Sequence, residues 1–199
     1  MEDKIPQLIS GFLTRTGWLM SWNQNQCVDQ NGDFVPWYSY PAIDFIKSRL
    51  NNTISVFEFG CGYSTLFYAK HCGRVFSVDT KEEWVNKINK LSSNANLQNL
   101  EIMLVSSNFA DSIDLIGEKF DLIIIDSAQR LECAIASYYN LAKNGIVILD
   151  NSDRENYYKI FNFFADRNFK QLTFSGLGPL RFDLSSTTVF YRSENIFNL

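Results

Sequence analysis

The sequence holds a single histidine, His71, just before Gly73 at the end of an expected helix, where the helix dipole favours a cation. The commonest general base is therefore scarce. The four cysteines, Cys27, Cys61, Cys72 and Cys133, form no Cys-x-x-Cys pair and no pair at metal-ligand spacing. Reduced thiols in a cytoplasmic protein fit that pattern. No run of lysine or arginine is present and the net charge is −4, which argues against a nucleic-acid partner because a phosphate backbone needs a basic surface. No charged-then-apolar leader opens the chain, and its longest apolar runs fall far short of a membrane span, so no membrane association is expected.

What the chain has is aromatic bulk, with 17 phenylalanines and 9 tyrosines among 199 residues. That suits a large aromatic core or an apolar pocket. The length fits one domain with a short extension. Residues 1–52 read as a helical and irregular extension holding Trp18, Trp22 and Trp37, with a turn at Asn31-Gly32 and a helix opening at Tyr40-Pro41. Residues 53–199 read as the main domain. There strands alternate with helices: "ISVFEFG", "RVFSVDT", "LEIMLV", "FDLIIIDS" and "IVILDN" are strands, and the segments between them carry helical spacing. "TKEE" from Thr80 and "SDRE" from Ser152 read as capping boxes. "LECAIASYYNLAKN" reads as a helix ended by Gly145. The alternation predicts an α/β fold, a doubly wound and mostly parallel seven-stranded sheet with helices on both faces. "KQLTFS" and "TTVFYRS" follow each other without a helix, so they form an antiparallel hairpin at the C-terminal edge. The connection 176–186 between them is long enough to be a lid.

In such sheets ligands bind beyond the carboxyl ends of the strands. The first strand ends in "FEFGCGYS", where Gly60 and Gly62 allow close approach of backbone to ligand. A lone Gly-x-Gly is compatible with a bare turn. Asp79, at the end of the second strand and 19 residues after Gly60, is placed to bond the ribose hydroxyls of an adenosine. A nicotinamide fingerprint needs a third glycine, and Gly60-Cys61-Gly62-Tyr63-Ser64-Thr65 lacks it. No lysine follows the glycines, which excludes a P-loop. Glu58 is a poor neighbour for a pyrophosphate and a good one for an amino group.

With these motifs the chain resembles the class I S-adenosylmethionine-dependent methyltransferases over about residues 54–193. "FEFGCGYS" stands for the Glu-x-Gly-x-Gly motif, "VFSVDT" for the ribose acid, and "FDLIIIDS" and "NGIVILDN" for the fourth and fifth strands. The resemblance implies S-adenosylmethionine as cofactor. It puts the methionine moiety on the turn of Gly60, Gly62 and Ser64 with Glu58 near its ammonium, the ribose on Asp79 beside Thr80, and adenine near Ser107 or Asn108, with Asp126 facing the cofactor. The segments "TGWLMSW" and "PWYSYPAIDFI" are similar to those of a bacterial subgroup linked to sugar or polysaccharide methylation. That puts Trp18, Trp37 and Tyr40 on the acceptor side, and such exposed aromatics would also suit a homodimer.

A hydroxyl acceptor, from a small molecule or a glycan, needs a base or a metal to take its proton. Asp126, Asp150 and Asn151 lie at adjacent strand ends and offer only oxygen, a set suited to Mg²⁺ or another divalent cation. They resemble the Asp … Asp-Asn set of catechol-type O-methyltransferases, from which Ser127 and the following "AQR" depart. Without a metal, Asp126 or Asp150 is the base. Arg130 either binds an acidic acceptor group or pairs with Glu132 or Asp153. Two other functions stay open at this stage: a nicotinamide-dependent oxidoreductase, for which the chain leaves little room, and a methyltransferase-like fold kept as a binding module.

Overall fold

The computed structural model describes residues 5–199, the side chains of Ile5 and Leu8 apart. Seven strands form one sheet: β1 (Ser55–Phe59), β2 (Arg74–Asp79), β3 (Leu100–Leu104), β4 (Phe120–Ile125), β5 (Leu141–Asp150), β6 (Lys170–Gly176) and β7 (Ser185–Tyr191). Their order is β3-β2-β1-β4-β5-β7-β6. The first five are parallel, and β7 enters antiparallel between β5 and the edge strand β6. The expected doubly wound sheet with a C-terminal antiparallel pair is thus present. The chain leaves β1 toward β2 on one side, and later places β4 on its other side. The crevice of such a sheet opens at that switch, above the end of β1.

Alternation along the strands assigns the two faces. Val56, Val75, Leu122, Ile124, Ile146 and Ile148 face one core cluster, and Phe57, Phe59, Phe76, Ile123, Ile125, Val147 and Phe190 face the other. Over the first lie α3 (Tyr40–Lys47), α4 (Tyr63–His71) and α5 (Glu82–Asn94). Over the second lie α6 (Arg130–Asn140), α7 (Tyr158–Ala165) and a 3₁₀ segment, Ala110–Ile116. The period of two puts Glu58 on the α4 face, where every neighbouring strand residue is apolar or a small hydroxyl. That placement decides its role below.

The N-terminal extension begins with α1 (Ile5–Leu8), continued by one π-helical turn, Ile9–Leu13, and then α2 (Trp18–Gln24). Trp18, Cys27, Val35, Tyr38 and Ile43 are buried in the same cluster as the sheet. Lys47 and Lys70 pair with Asp29 and Asp33, tying the irregular stretch to α3 and α4. The turn at Asn31-Gly32 is closed by the Gly32 amide donating to the Asp29 carbonyl (3.0 Å). Among the described residues no helix is long and apolar enough to cross a membrane.

Three local expectations need correction. The Thr80 capping box does not form: Asp79 Oδ1 accepts from the Lys81 amide at 2.8 Å, closing a turn across Thr80, so the N-cap position falls on Lys81 and α5 has no side-chain cap. Ser152 is no cap either. Its amide donates to the Ser186 carbonyl (2.8 Å) and its hydroxyl accepts from Thr188 (2.8 Å), so it extends the β5–β7 contact. The helix over "LECAIASYYNLAKN" ends at Asn140, and Leu141 begins β5 opposite Phe120, where the ladder is irregular. Burial of Leu141 in the aromatic cluster outweighs the helical pattern there.

The second cluster depends on Phe164, which is fully buried and stacks on Phe190 with centroids 4.5 Å apart. Phe164→Ala is expected to cost about 3–5 kcal/mol, read as a lower urea midpoint with unchanged slope.

Candidate functional site

A cleft of about 500 Å³ opens beyond the carboxyl ends of β1, β2 and β4. Its floor is Gly60, Cys61 and Gly62. Asp79, Thr80, Lys81 and Trp84 form one wall, Asp126, Ser127, Ala128 and Gln129 the opposite one, and Phe109 and Trp37 close the sides. The volume lies in the range of small-molecule and cofactor sites.

The floor is fixed by a backbone contact. Gly60 has φ +101°, and a Cβ there would lie 2.0 Å from the Asp126 carbonyl oxygen. Only glycine lets β1 and β4 end this close together. A Cβ at Gly62 would meet nothing nearer than Ser64 Oγ at 3.7 Å, so that glycine leaves open space above the turn.

Beneath the floor Glu58 is completely buried. It accepts hydrogen bonds from Ser64 (2.5 Å), Ser77 (2.8 Å) and Thr65. Thr65 also accepts from the Gly62 amide (2.9 Å), so the carboxyl holds the glycine turn from below. Its oxygens are committed to α4 and β2, and it does not line the cleft. Burial pushes its carboxyl up to about 7, against the three hydroxyls that pull it down. Ser64 borders the cleft, but its hydroxyl proton is spent on Glu58.

Asp79 is part of the wall and part of the scaffold. One oxygen accepts from the Cys61 amide (3.0 Å), the other from the Lys81 amide (2.8 Å). It thereby locks the glycine turn to the end of β2 while keeping lone pairs toward the cleft. Ser107 and Asn108 are exposed and outside the cleft, and Phe109, a buried aromatic, faces it instead.

Two of the three residues expected to hold a metal, Asp126 and Asn151, are engaged by Arg130. Its guanidinium, buried at 6% exposure, places Nη2 2.6 Å from Asp126 Oδ1 and 3.1 Å from Asn151 Oδ1. Nη1 donates to the Ser127 carbonyl and to the Tyr157 hydroxyl (3.2 Å). Asn151 also accepts from Arg154 (3.0 Å) and donates to Asp150 Oδ2 (2.9 Å). Asp150 accepts from Thr187 (2.9 Å) on its other oxygen, is 2% exposed and lies off the cleft. Burial, and then Asp126, push its carboxyl well above the carboxylate range. Among the described residues no three His, Cys, Asp or Glu side chains gather as metal ligands. The donor set therefore does not fit a divalent cation: Arg130 already pairs with Asp126 and Asn151, and Asp150 is taken by Thr187 and Asn151. Arg130 pairs with neither Glu132 nor Asp153.

The candidate acceptor-side residues separate. Trp37 borders the cleft and is 47% exposed. Trp18 is buried, stacks on Trp22 and donates its indole N–H to the Arg181 carbonyl (2.8 Å), while Tyr40 is buried against the connection, its amide bonded to the Leu177 carbonyl. The β6–β7 connection thus packs on the extension, with Phe182 edge-on to Trp18 and Trp22, and does not line the cleft. Sequence reasoning left out Lys81, Trp84, Phe109, Ala128 and Gln129 as cleft residues. Trp84 was visible as a helical-face aromatic one turn after the ribose acid. Lys87 covers it and Tyr63 at 4.5 and 4.8 Å.

No protein-family model and no curated protein matches the sequence. Solved structures match its shape. The O-methyltransferase TomG from Streptomyces achromogenes, solved in complex with SAM, superposes with a TM-score of 0.64 at 14% identity, covering 89% of this chain and 87% of that one. An rRNA methylase from Streptococcus thermophilus gives 0.62 at 16% identity, over 77% and 95% of the two chains. A precorrin-6y C5,15-methyltransferase from Geobacter metallireducens gives 0.62 at 15%, over 77% and 88%. The fold is the Rossmann-like methyltransferase fold. On this methyltransferase fold the glycine turn, Asp79 and Asp126 border one cleft, and Asp150, Asn151 and Glu58 stand behind it as its support.

Glu58 gives this support a pH dependence. Its carboxyl rises from 4.5 to about 7 on folding. Between those values the folded protein holds a proton that the unfolded chain has released. The stabilisation is complete below the lower value and is lost as the pH rises through the higher one. Relative to wild type, Glu58→Gln should therefore gain stability between about pH 4.5 and 8, by at most about 3 kcal/mol. Urea midpoints of both proteins across that range read the difference, and parallel curves would count against it.

Proposed function

We propose that the protein is an S-adenosylmethionine-dependent methyltransferase acting on a hydroxyl of a small molecule or glycan, with Asp126 as the base. The observation that carries the reading is the cleft itself: the Gly60–Gly62 floor and the Asp79 carboxylate border one cavity of about 500 Å³, with an aspartate across it. These residues fit the cofactor. Asp79 would take the ribose hydroxyls, the open face at Gly62 the amino-acid tail, and Phe109 and Trp84 offer apolar surface to the rest. When bound, the cofactor supplies a methyl group on a sulfonium, and its transfer breaks the S–C bond, forms an O–C bond and leaves a neutral thioether.

The chain's own residues supply alignment and proton removal. Alignment is the larger contribution, on the order of 7–11 kcal/mol in well-oriented reactions. The rigid turn serves it, held from below by Glu58 and from the side by Asp79. The acceptor proton passes to Asp126, the only carboxylate other than Asp79 among the cleft's bordering residues. Burial pushes Asp126 upward from its ordinary value against the pull of Arg130 and Arg154, which makes it a stronger base than a free aspartate. Asp150 is off the cleft with both oxygens bonded, so it is left to support Asn151. The acidic chain and the narrow cleft favour a small acceptor over a nucleic acid. Trp37 offers a flat apolar face at the mouth.

Isothermal titration with S-adenosylmethionine and its demethylated product tests the reading. Both are expected to bind, and Asp79→Ala should weaken them by about tenfold to a hundredfold. No heat at millimolar ligand would refute it. Binding that is unchanged by Asp79→Ala would move the ribose elsewhere.

A further inference from the structure

We propose that Arg130 is the resident cation of this site. It takes the place that a divalent metal would occupy and makes the reaction independent of metal. The inference rests on the methyl-transfer reading of the cleft. Asp126, Asp150 and Asn151 stand at the adjacent ends of β4 and β5 and carry side-chain oxygens, residue types that suit a hard cation. Yet one guanidinium nitrogen already touches Asp126 at 2.6 Å and Asn151 at 3.1 Å, and Asn151 passes the contact on to Asp150 at 2.9 Å.

The guanidinium is built in. It sits over the Tyr157 ring at 5.4 Å, accepts no solvent-exposed position, and is held by the Ser127 carbonyl and the Tyr157 hydroxyl. A buried arginine at such a point is a planar, permanent charge that fixes carboxylate direction better than a lysine would. Its Nε is buried without a partner, so the group is held by its two terminal nitrogens, both of which point at the strand ends. A metal would have to displace this charge and leave it unpaired in the interior, which is costly. Arg130 is thus a positioning residue. It anchors Oδ1 of Asp126 and leaves Oδ2 for the acceptor hydroxyl. Sequence supplies the reason for its placement: Arg130 stands four residues after Asp126, at the first position of α6, so its side chain reaches back over the turn toward β4.

The test is a titration of the full chain with Mn²⁺ alone, followed by paramagnetic relaxation of water, alongside S-adenosylmethionine binding in the presence of a chelator. Wild type is expected to show no saturable Mn²⁺ binding and to bind the cofactor equally with and without chelator. Arg130→Gln removes the charge and keeps much of the bulk, so Mn²⁺ should then bind at least about tenfold more tightly than to wild type. Arg130→Lys keeps the charge and should still exclude the metal, a rescue that a merely structural role does not predict. Saturable Mn²⁺ binding to wild type that disappears in Asp126→Asn overturns the proposal. So does equal exclusion by Arg130→Gln and wild type. If Arg130→Gln does not fold, the wild-type titration and Arg130→Lys decide. If the cofactor fails to bind, the methyl-transfer reading falls, and the Mn²⁺ titration still judges Arg130 as the resident cation.

Discussion

The contact of the Gly60 backbone with the Asp126 carbonyl is the constraint on which the site depends. It occurs where β1 and β4 end side by side, and it leaves no room for even a Cβ. Because the strands meet there, the turn that follows β1 and the turn that follows β4 face each other across a narrow cleft. The sheet order puts this meeting point where the chain, having run outward from β1 through β2 to β3, starts again on the other side of β1 with β4. The same geometry explains why the glycine cannot drift to a neighbouring position without losing the cleft.

Two buried polar groups support the two sides of this meeting point. Under the first turn, Glu58 gathers three hydroxyls and, through Thr65, one amide of the glycine turn. Under the second, Arg130 gathers Asp126, Ser127, Asn151 and Tyr157. Each is nearly or fully buried and each is multiply hydrogen-bonded, the condition under which a buried polar group can be tolerated. One is an acid whose partners are neutral and the other a base whose partners include a carboxylate. The consequence differs accordingly. Glu58 is raised toward neutrality by burial, whereas the Arg130 network holds a charge pair at the edge of the cleft.

Much of this was legible in the sequence, and the reasons can be named. Strand and helix alternation, the helix-free pair "KQLTFS" and "TTVFYRS", and the Gly60, Gly62 and Asp79 spacing depend on local pattern, and the observed sheet and cleft follow them. What sequence could not give were directions that depend on residues far away in the chain. Thr80 is displaced as a cap because Asp79 bonds the Lys81 amide across it and the N-cap position falls on Lys81. Ser152 is drawn into β7, 30-odd residues downstream. Glu58 looks like a ligand group at the mouth of a turn, but the alternation of β1 sends it beneath the floor, where Ser77 and Thr65 wait. Asp126 and Asn151 look like metal ligands until Arg130 folds back from α6 onto them, and Asp150 is taken by Asn151 and Thr187. The position of Arg130, four residues after Asp126 at a helix start, was a usable signal for that ion pair. Ser107 lies on a loop whose course is set by the packing of Phe109, and no local pattern placed the two correctly.

The central claim is that one cleft, metal-free and bordered by Gly60, Asp79 and Asp126, seats an adenosyl amino-acid cofactor. A crystal structure grown with the demethylated cofactor and Mn²⁺ together measures it most directly. The account predicts the ribose hydroxyls on Asp79, the amino-acid tail over Gly62, and Arg130 still bonded to Asp126 and Asn151 with no ion between them. A ligand seated elsewhere, or a metal at Asp126 with Arg130 displaced, would contradict it.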